Sequence, residues 1–155
     1  MATNSELLQT FYEAFSRRDY QTMGQCYHEE AIFNDPAFVN LNAQEVRAMW
    51  QMLCERGTDL KLEFSDIQTN ENTGKCHWEA YYTFSQTRRK VHNIIDAEFE
   101  FKEGKIWRHT DKFNFYRWAK QALGMTGWLL GWTSFLQTKV QETARKSLDK
   151  FMQRA

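Results

Sequence analysis

The sequence predicts one α+β domain in which a curved antiparallel sheet and covering helices enclose a largely apolar concavity. Three observations predict it. Apolar residues recur at helical spacing up to about Gly57, the period then changes to two, and the later alternating segments place their aromatic side chains on a single parity. At 155 residues the chain has the length of one domain, able to bury roughly 70% of the surface its unfolded form exposes.

The elements follow in order. Leu7, Leu8, Phe11, Tyr12 and Phe15 form an apolar stripe behind Asn4 or Ser5 as caps, giving a first helix that runs to about Arg18. Asp19 caps a second, short helix carrying Tyr20, Met23 and Tyr27. Ala31-Ile32-Phe33 reads as a brief strand ended by Asp35-Pro36, which holds the single proline of the chain. Asn42 with Glu45 has the pattern of a capping box and opens a third helix through Val46, Met49, Trp50 and Leu53 to Gly57. Leu60, Leu62 and Phe64 then alternate with polar residues, and residues 70–74 are a turn cluster. Strands are expected over 75–86, 90–102 and 105–115, the last two joined at Glu103-Gly104. Segments 118–123 and 128–151 return to helical spacing around Gly124 and Gly127. Residues 1–116 are thus expected to form the sheet-and-helix body, and 117–155 a helical extension packed on it.

Composition removes several classes of function. Twenty basic residues balance twenty acidic ones, so no global field draws the chain to nucleic acid or anionic lipid. Cys26, Cys54 and Cys76 are odd in number and far apart, which suits neither a disulfide framework nor a metal-ligand spacing and points to a reducing compartment. The first residues lack a basic patch followed by an apolar run, so a cytoplasmic location is expected. The most apolar stretch, 123–136, is broken by Gly124, Gly127 and Gly131 and falls short of the roughly 20 residues a membrane span needs. His28, His77 and His92 lie on separate elements, so no metal site is expected. No phosphate-binding glycine loop or nucleophile elbow is present. Arg88-Arg89-Lys90 is a basic hairpin tip.

Parity selects the inward side chains. Along 90–102 the odd positions are Val91, Asn93, Ile95, Ala97, Phe99 and Phe101, and the even ones are mostly charged. Along 105–115 the odd positions are Trp107, His109, Asp111, Phe113 and Phe115, so a carboxylate and an imidazole face the aromatic side. Cys76, Trp78, Ala80, Tyr82 and Phe84 form the matching parity of the strand before. A carboxylate among rings must be hydrogen-bonded or paired, and desolvation moves such a group by up to about 3–5 pH units toward neutrality. Asp111 with His109 is therefore the candidate acid–base pair; the alternative is a structural ion pair or a bond to the first helix or to Tyr12. Asp35 is a second candidate, or simply the turn residue that Asp-Pro favours. Tyr12, Phe15, Trp50, Trp78, Tyr82, Asn93, Trp107 and Phe113 are the expected walls of a substrate site.

The run from Phe101 to Gly124, FKEGKIWRHTDKFNFYRWAKQALG, resembles the last hairpin of the nuclear-transport-factor-2-like (cystatin-like) superfamily, closest to its SnoaL-like branch. The likeness extends over Leu7 to Gly124. It implies a cone formed by the sheet and three helices, often dimeric across the outer sheet face. It also implies a cofactor-independent isomerase, cyclase or lyase acting on a small hydrophobic carbonyl compound, although the superfamily also includes members without catalysis, which bind ligands or partner proteins. Asp111 matches the catalytic base of the polyketide cyclases and one aspartate of the epoxide-hydrolase triad. The other two triad positions fall near Trp78 and Ala80, so that triad is incomplete. Asp35 resembles the general base of ketosteroid isomerase. That enzyme's helix tyrosine falls on Phe11, one place before Tyr12, and its oxyanion-hole aspartate falls on Ala97 by parity or Asp96 by simple alignment.

Overall fold

The computed structural model describes residues 3–154. Helix α1 (Asn4–Ser16) is capped by Thr3, one residue ahead of the expected caps, whose side chain accepts from the Glu6 amide. Leu8, Phe11, Tyr12 and Phe15 fall on the side that 3.6 residues per turn brings together, and all four are buried. Helix α2 (Tyr20–Gln25) begins at Asp19, whose carboxylate accepts from the Thr22 amide. The next strand is longer than expected: β1 (Tyr27–Asn34) takes in Tyr27, which helical spacing alone assigns to α2. After β2 (Leu41–Asn42) comes α3 (Ala43–Arg56), opened by a reciprocal Asn42–Glu45 capping box and ended at Gly57.

Strands β3 (Lys61–Thr69), β4 (Thr73–Phe84), β5 (Arg89–Lys102) and β6 (Lys105–Lys112) form an antiparallel meander. Glu103 and Gly104 both take left-handed φ angles, 54° and 75°, the tight-turn geometry that matches strand twist. The curved sheet has six strands in the order β2-β1-β6-β5-β4-β3 and does not close. Among the described residues only the β1–β6 pairing is parallel, and it sets Phe33 beside His109 and Asn34 beside Thr110. Asp35 is thereby delivered to the level of Asp111.

Burial along β5 alternates without a break from Val91 to Phe101, as parity predicts. In β6 the alternation is interrupted. Glu100 pairs with Arg108 but Phe101 pairs with Ile106, so one extra residue, Trp107, stands in a bulge. Ile106 is fully buried in its place, and Trp107 lies under the Arg108 guanidinium, 3.9 Å from its ring centre, with Lys102 at 5.2 Å. Trp107 is therefore not a wall of the concavity. A slip of one residue turns side chains to the other face, and the bulge resets the register so that His109 and Asp111 point inward.

The tail contains three helices where the periodicity suggests two: α4 (Phe115–Leu123), α5 (Met125–Leu130) and α6 (Ser134–Gln153). Val91, Trp118, Ala119, Ala122 and Leu136 form a small core of their own, and Tyr82 and Phe113 touch both it and the main core. α4 and the start of α6 thus roof one end of the sheet. Gln137 and Gln141 donate to the Pro36 carbonyl at 3.2 and 3.1 Å, tying α6 to the turn after β1. Farther along, Leu148 enters the main core and Arg145 pairs with Glu45 on α3.

Candidate active site at the His109–Asp111 pair

The concave face of the sheet, covered by α1 and α3, is packed at its inner end by rings. Phe11 meets Tyr12, Tyr27, Trp50 and His109 edge-on, with centroids 5.1 to 6.0 Å apart. Phe33 and Phe99 close on the His109 ring at 4.8 and 4.3 Å. Within this apolar surround runs one chain of hydrogen bonds. The Trp50 indole N–H donates to Tyr27 Oη at 2.9 Å, Tyr27 Oη lies 2.8 Å from His109 Nδ1, and His109 Nε2 lies 2.9 Å from Asp111 Oδ1. Trp78 Nε1 donates to the same carboxylate oxygen at 3.4 Å.

The direction of these bonds follows from the donors available. Indole can only donate, so the Tyr27 oxygen accepts from Trp50, and its own proton is free to go to His109 Nδ1. A neutral imidazole with its proton on Nε2 then donates to Asp111. This arrangement satisfies every polar atom in the chain, whereas a proton on Nδ1 would leave the Tyr27 hydroxyl without an acceptor. His109 and Asp111 are almost wholly buried, at 2% and 3% exposure.

Oδ1 of Asp111 is thus fully engaged, while Oδ2 has no hydrogen-bond partner among the described residues. Tyr12 Oη is the one wholly buried side-chain nitrogen or oxygen there without a partner, so Asp111 Oδ2 keeps contact with solvent. By the same reasoning so does the side-chain amide of Asn93, which faces inward. The Tyr12 hydroxyl lies beside the Cys76 thiol and near Asp111 without a hydrogen bond of ordinary geometry. Burial and the Asp111 charge push its pKa well above the usual tyrosine value.

Asp35 stands at the outer end of this group. Its Oδ1 accepts from the Ala37 and Phe38 amides at 2.7 and 2.6 Å, so the turn that Asp-Pro favours does form. Desolvation, opposed by these two bonds and aided by the Asp111 charge, still raises its pKa from 3.8 to about 7. Tyr82, near enough to feel the Asp35 charge, accepts from the Trp118 indole at 2.8 Å.

The structure therefore brings together Asp111 and His109, with Asp35 close to Asp111. Phe15, Trp50 and Trp78 pack against one another, Tyr12 against Trp78, and Tyr82 and Phe113 join the roof. Asn93 lies toward the roofed end, opposite Ala80. Asp96 is on the outer face, bound to His77 at 2.9 Å, and Ala97 takes the inward position, so neither supplies an acid at the isomerase oxyanion-hole position. Sequence reasoning missed Tyr27 and Trp118. The odd parity of Ala31 and Phe33 was the available signal for Tyr27. Trp118 carried none, because its partner comes from a strand far away in sequence. Two surface clefts of about 550 and 880 Å³ lie outside the concavity and include neither carboxylate. Among the described residues no group of three or more His, Cys, Asp or Glu side chains could hold a metal ion, and no helix is long and apolar enough to cross a membrane.

A curved, unclosed six-stranded sheet covered by helices is the architecture of the nuclear-transport-factor-2-like proteins. The family model for the SnoaL-like domain matches residues 8–109, and the chain belongs to that family. Its fold is shared with IdmH of Streptomyces antibioticus, described provisionally as a polyketide cyclase, at 18% identity and a TM-score of 0.65 over 80% of this chain and 100% of that one. A Pseudomonas putida protein with the same provisional description matches at 18% identity and a TM-score of 0.66, over 79% of this chain and 99% of that one. An epoxide hydrolase of Mycobacterium tuberculosis matches at 15% identity and a TM-score of 0.61, over 76% of this chain and 87% of that one. No curated protein matches the chain.

Proposed function

We propose that the chain is a cofactor-independent isomerase, cyclase or lyase acting on a small hydrophobic carbonyl compound, with Asp111 as the base. One observation carries this reading: Oδ1 of Asp111 is clamped by two N–H groups while Oδ2 has no partner among the described residues. A carboxylate held in this way has its orientation fixed and one oxygen to offer. A C–H bond next to the substrate carbonyl breaks, its proton passes to Asp111 Oδ2, and the electron pair moves onto the carbonyl oxygen. Asp35, with a pKa of about 7, is protonated in a large fraction of molecules near neutrality and serves as the donor to that developing enolate. Return of the proton to another carbon gives isomerisation; attack of the enolate carbon within the molecule gives cyclisation. His109 acts through Asp111 as a positioning residue, fixed in turn by Tyr27 and Trp50.

The substrate occupies the roofed end, between Asp35, Asn93, Tyr82 and Phe113, and enters when α4 and the start of α6 move. Ring packing fills the space around His109, which favours a small or flat ligand. It also favours the second reading, a binding module of the same fold in which the His109–Asp111 pair is structural. Epoxide hydrolysis is the third, supported by the M. tuberculosis neighbour and weakened by Trp78 and Ala80 at the remaining triad positions. A homodimer across the outer sheet face and a cytoplasmic location complete the proposal; three buried free thiols suit a reducing compartment.

The test compares wild type with Asp111→Asn for binding and turnover over a panel of cyclic ketones, steroids and epoxides. The proposal expects ketone turnover that the variant loses while binding persists. Binding without turnover in wild type, unchanged in the variant, would establish the binding-module reading instead.

A further inference from the structure

The largest departure from a core-directed pattern lies in the tail. Met125, Trp128, Leu129, Trp132 and Phe135 are 73, 58, 65, 73 and 64% exposed. Five large apolar side chains within eleven residues are more than scattered surface exposure accounts for. Their orientation is fixed by what packs beneath them. The residue α5 buries is Gly127, where an added Cβ would stand 1.9 Å from the Ala119 carbonyl oxygen. Backbone therefore lies on backbone, and α5 has its glycine edge turned inward and its Trp, Leu and Met side turned out.

Charge around this surface is one-sided, although the whole chain is neutral. Residues 113–141 contain no Asp or Glu, and neither do residues 80–95. The second stretch includes the exposed tip Arg88-Arg89-Lys90, which is fastened to the tail: Thr87 Oγ1 donates to the Ala122 carbonyl at 2.5 Å and Arg89 Nε to the Gln121 carbonyl at 2.8 Å. Lys120 lies 4.5 Å from the ring centres of both Tyr116 and Trp128, and Lys139 5.8 Å from that of Phe135. Two acids reach the margins of this region: Asp59, bound to Thr83, and Glu79, whose Oε1 lies 2.7 Å from His92 Nε2.

Exposed Trp, Leu and Phe with lysines over the ring faces and no acid between them match the chemistry of a membrane–water interface. We propose that α5, the start of α6 and the β4–β5 hairpin tip form a docking surface for an anionic lipid bilayer, with the rings inserted at headgroup depth and the cations among lipid phosphates. Docking lays the roof of the concavity against the lipid. The mode is peripheral.

The test is co-sedimentation of the full chain with phosphatidylcholine vesicles, with and without roughly one-quarter phosphatidylglycerol. Binding is expected to be at least about tenfold tighter to the anionic vesicles and to weaken as salt rises from about 0.1 to about 0.5 M. Trp128→Ser with Trp132→Ser should abolish it, and Lys120→Glu with Lys139→Glu should cost each on the order of fivefold or more. Trp128, Trp132 and Lys139 are solvent-facing and Lys120 is half-buried, and an unchanged circular dichroism spectrum and thermal midpoint verify the fold. No binding to anionic vesicles, or equal binding to neutral ones, overturns the proposal. So does a concentration-dependent dimer in sedimentation that the Trp variant converts to monomer without vesicle binding, since the surface then joins two copies of the chain.

Discussion

The inner end of the concavity and its roofed end are built from the same residue types and differ in how their polar atoms are satisfied. Around Phe11 the rings pack edge to face, and the polar atoms from Trp50 to Asp111 Oδ1 form an unbroken chain. At the roofed end Asp111 Oδ2 and the Asn93 amide are unpartnered among the described residues, and desolvation raises the Asp35 pKa to about 7. Aromatic content alone therefore does not mark a site. The difference teaches that the inner end supplies rigidity, and that a site for chemistry belongs where polar atoms are left to meet a ligand.

The largest expected effect separates the ends by activity. Asp111→Asn should lower turnover of a ketone substrate by roughly a hundredfold to ten-thousandfold. Its amide oxygen can still accept from Trp78 and His109, so urea unfolding should shift little. Phe11→Ala, at the inner end, should do the reverse. It removes a fully buried ring and should cost about 3–5 kcal/mol in the same unfolding measurement.

Next in size is a pH effect confined to the roofed end. Unfolded, Asp35 titrates at its ordinary 3.8, and folded at about 7, so between those values the folded chain keeps a proton the unfolded chain has lost. Stability should fall as pH rises from about 4 to about 7, by on the order of 4 kcal/mol, and level off above. Comparison of wild type with Asp35→Asn should show that component of the slope removed. Tyr27→Phe has the smallest expected effect. It strands the Trp50 N–H and His109 Nδ1 in an apolar surround at a cost of about 1–3 kcal/mol, read from denaturant midpoints.

Local signals were legible in the sequence where local physics decides. The Asn42–Glu45 box, the Asp19 cap and the Glu103-Gly104 turn form where their chemistry requires, and strand parity placed Asp111 and His109 inward. Trp107 escaped because a bulge is a pairing event between β5 and β6, and a single strand read alone shows unbroken alternation. Tyr27 escaped because a helix and a strand meet there with no breaker between them. The parallel β1–β6 pairing that carries Asp35 toward Asp111 is non-local, so spacing along the chain gives no sign of it. In the tail, helical periodicity was visible, but the glycine-on-backbone contact that turns α5 outward depends on Ala119.

The most direct test of the account is deuterium exchange at the α-carbon of a cyclic ketone in D₂O, followed by NMR with catalytic amounts of protein. The free oxygen of Asp111 should make wild type accelerate exchange, and Asp111→Asn should reduce it to the rate in buffer. Equal exchange by both proteins, or none above buffer for ketones that bind, would contradict the claim that this carboxylate is a base.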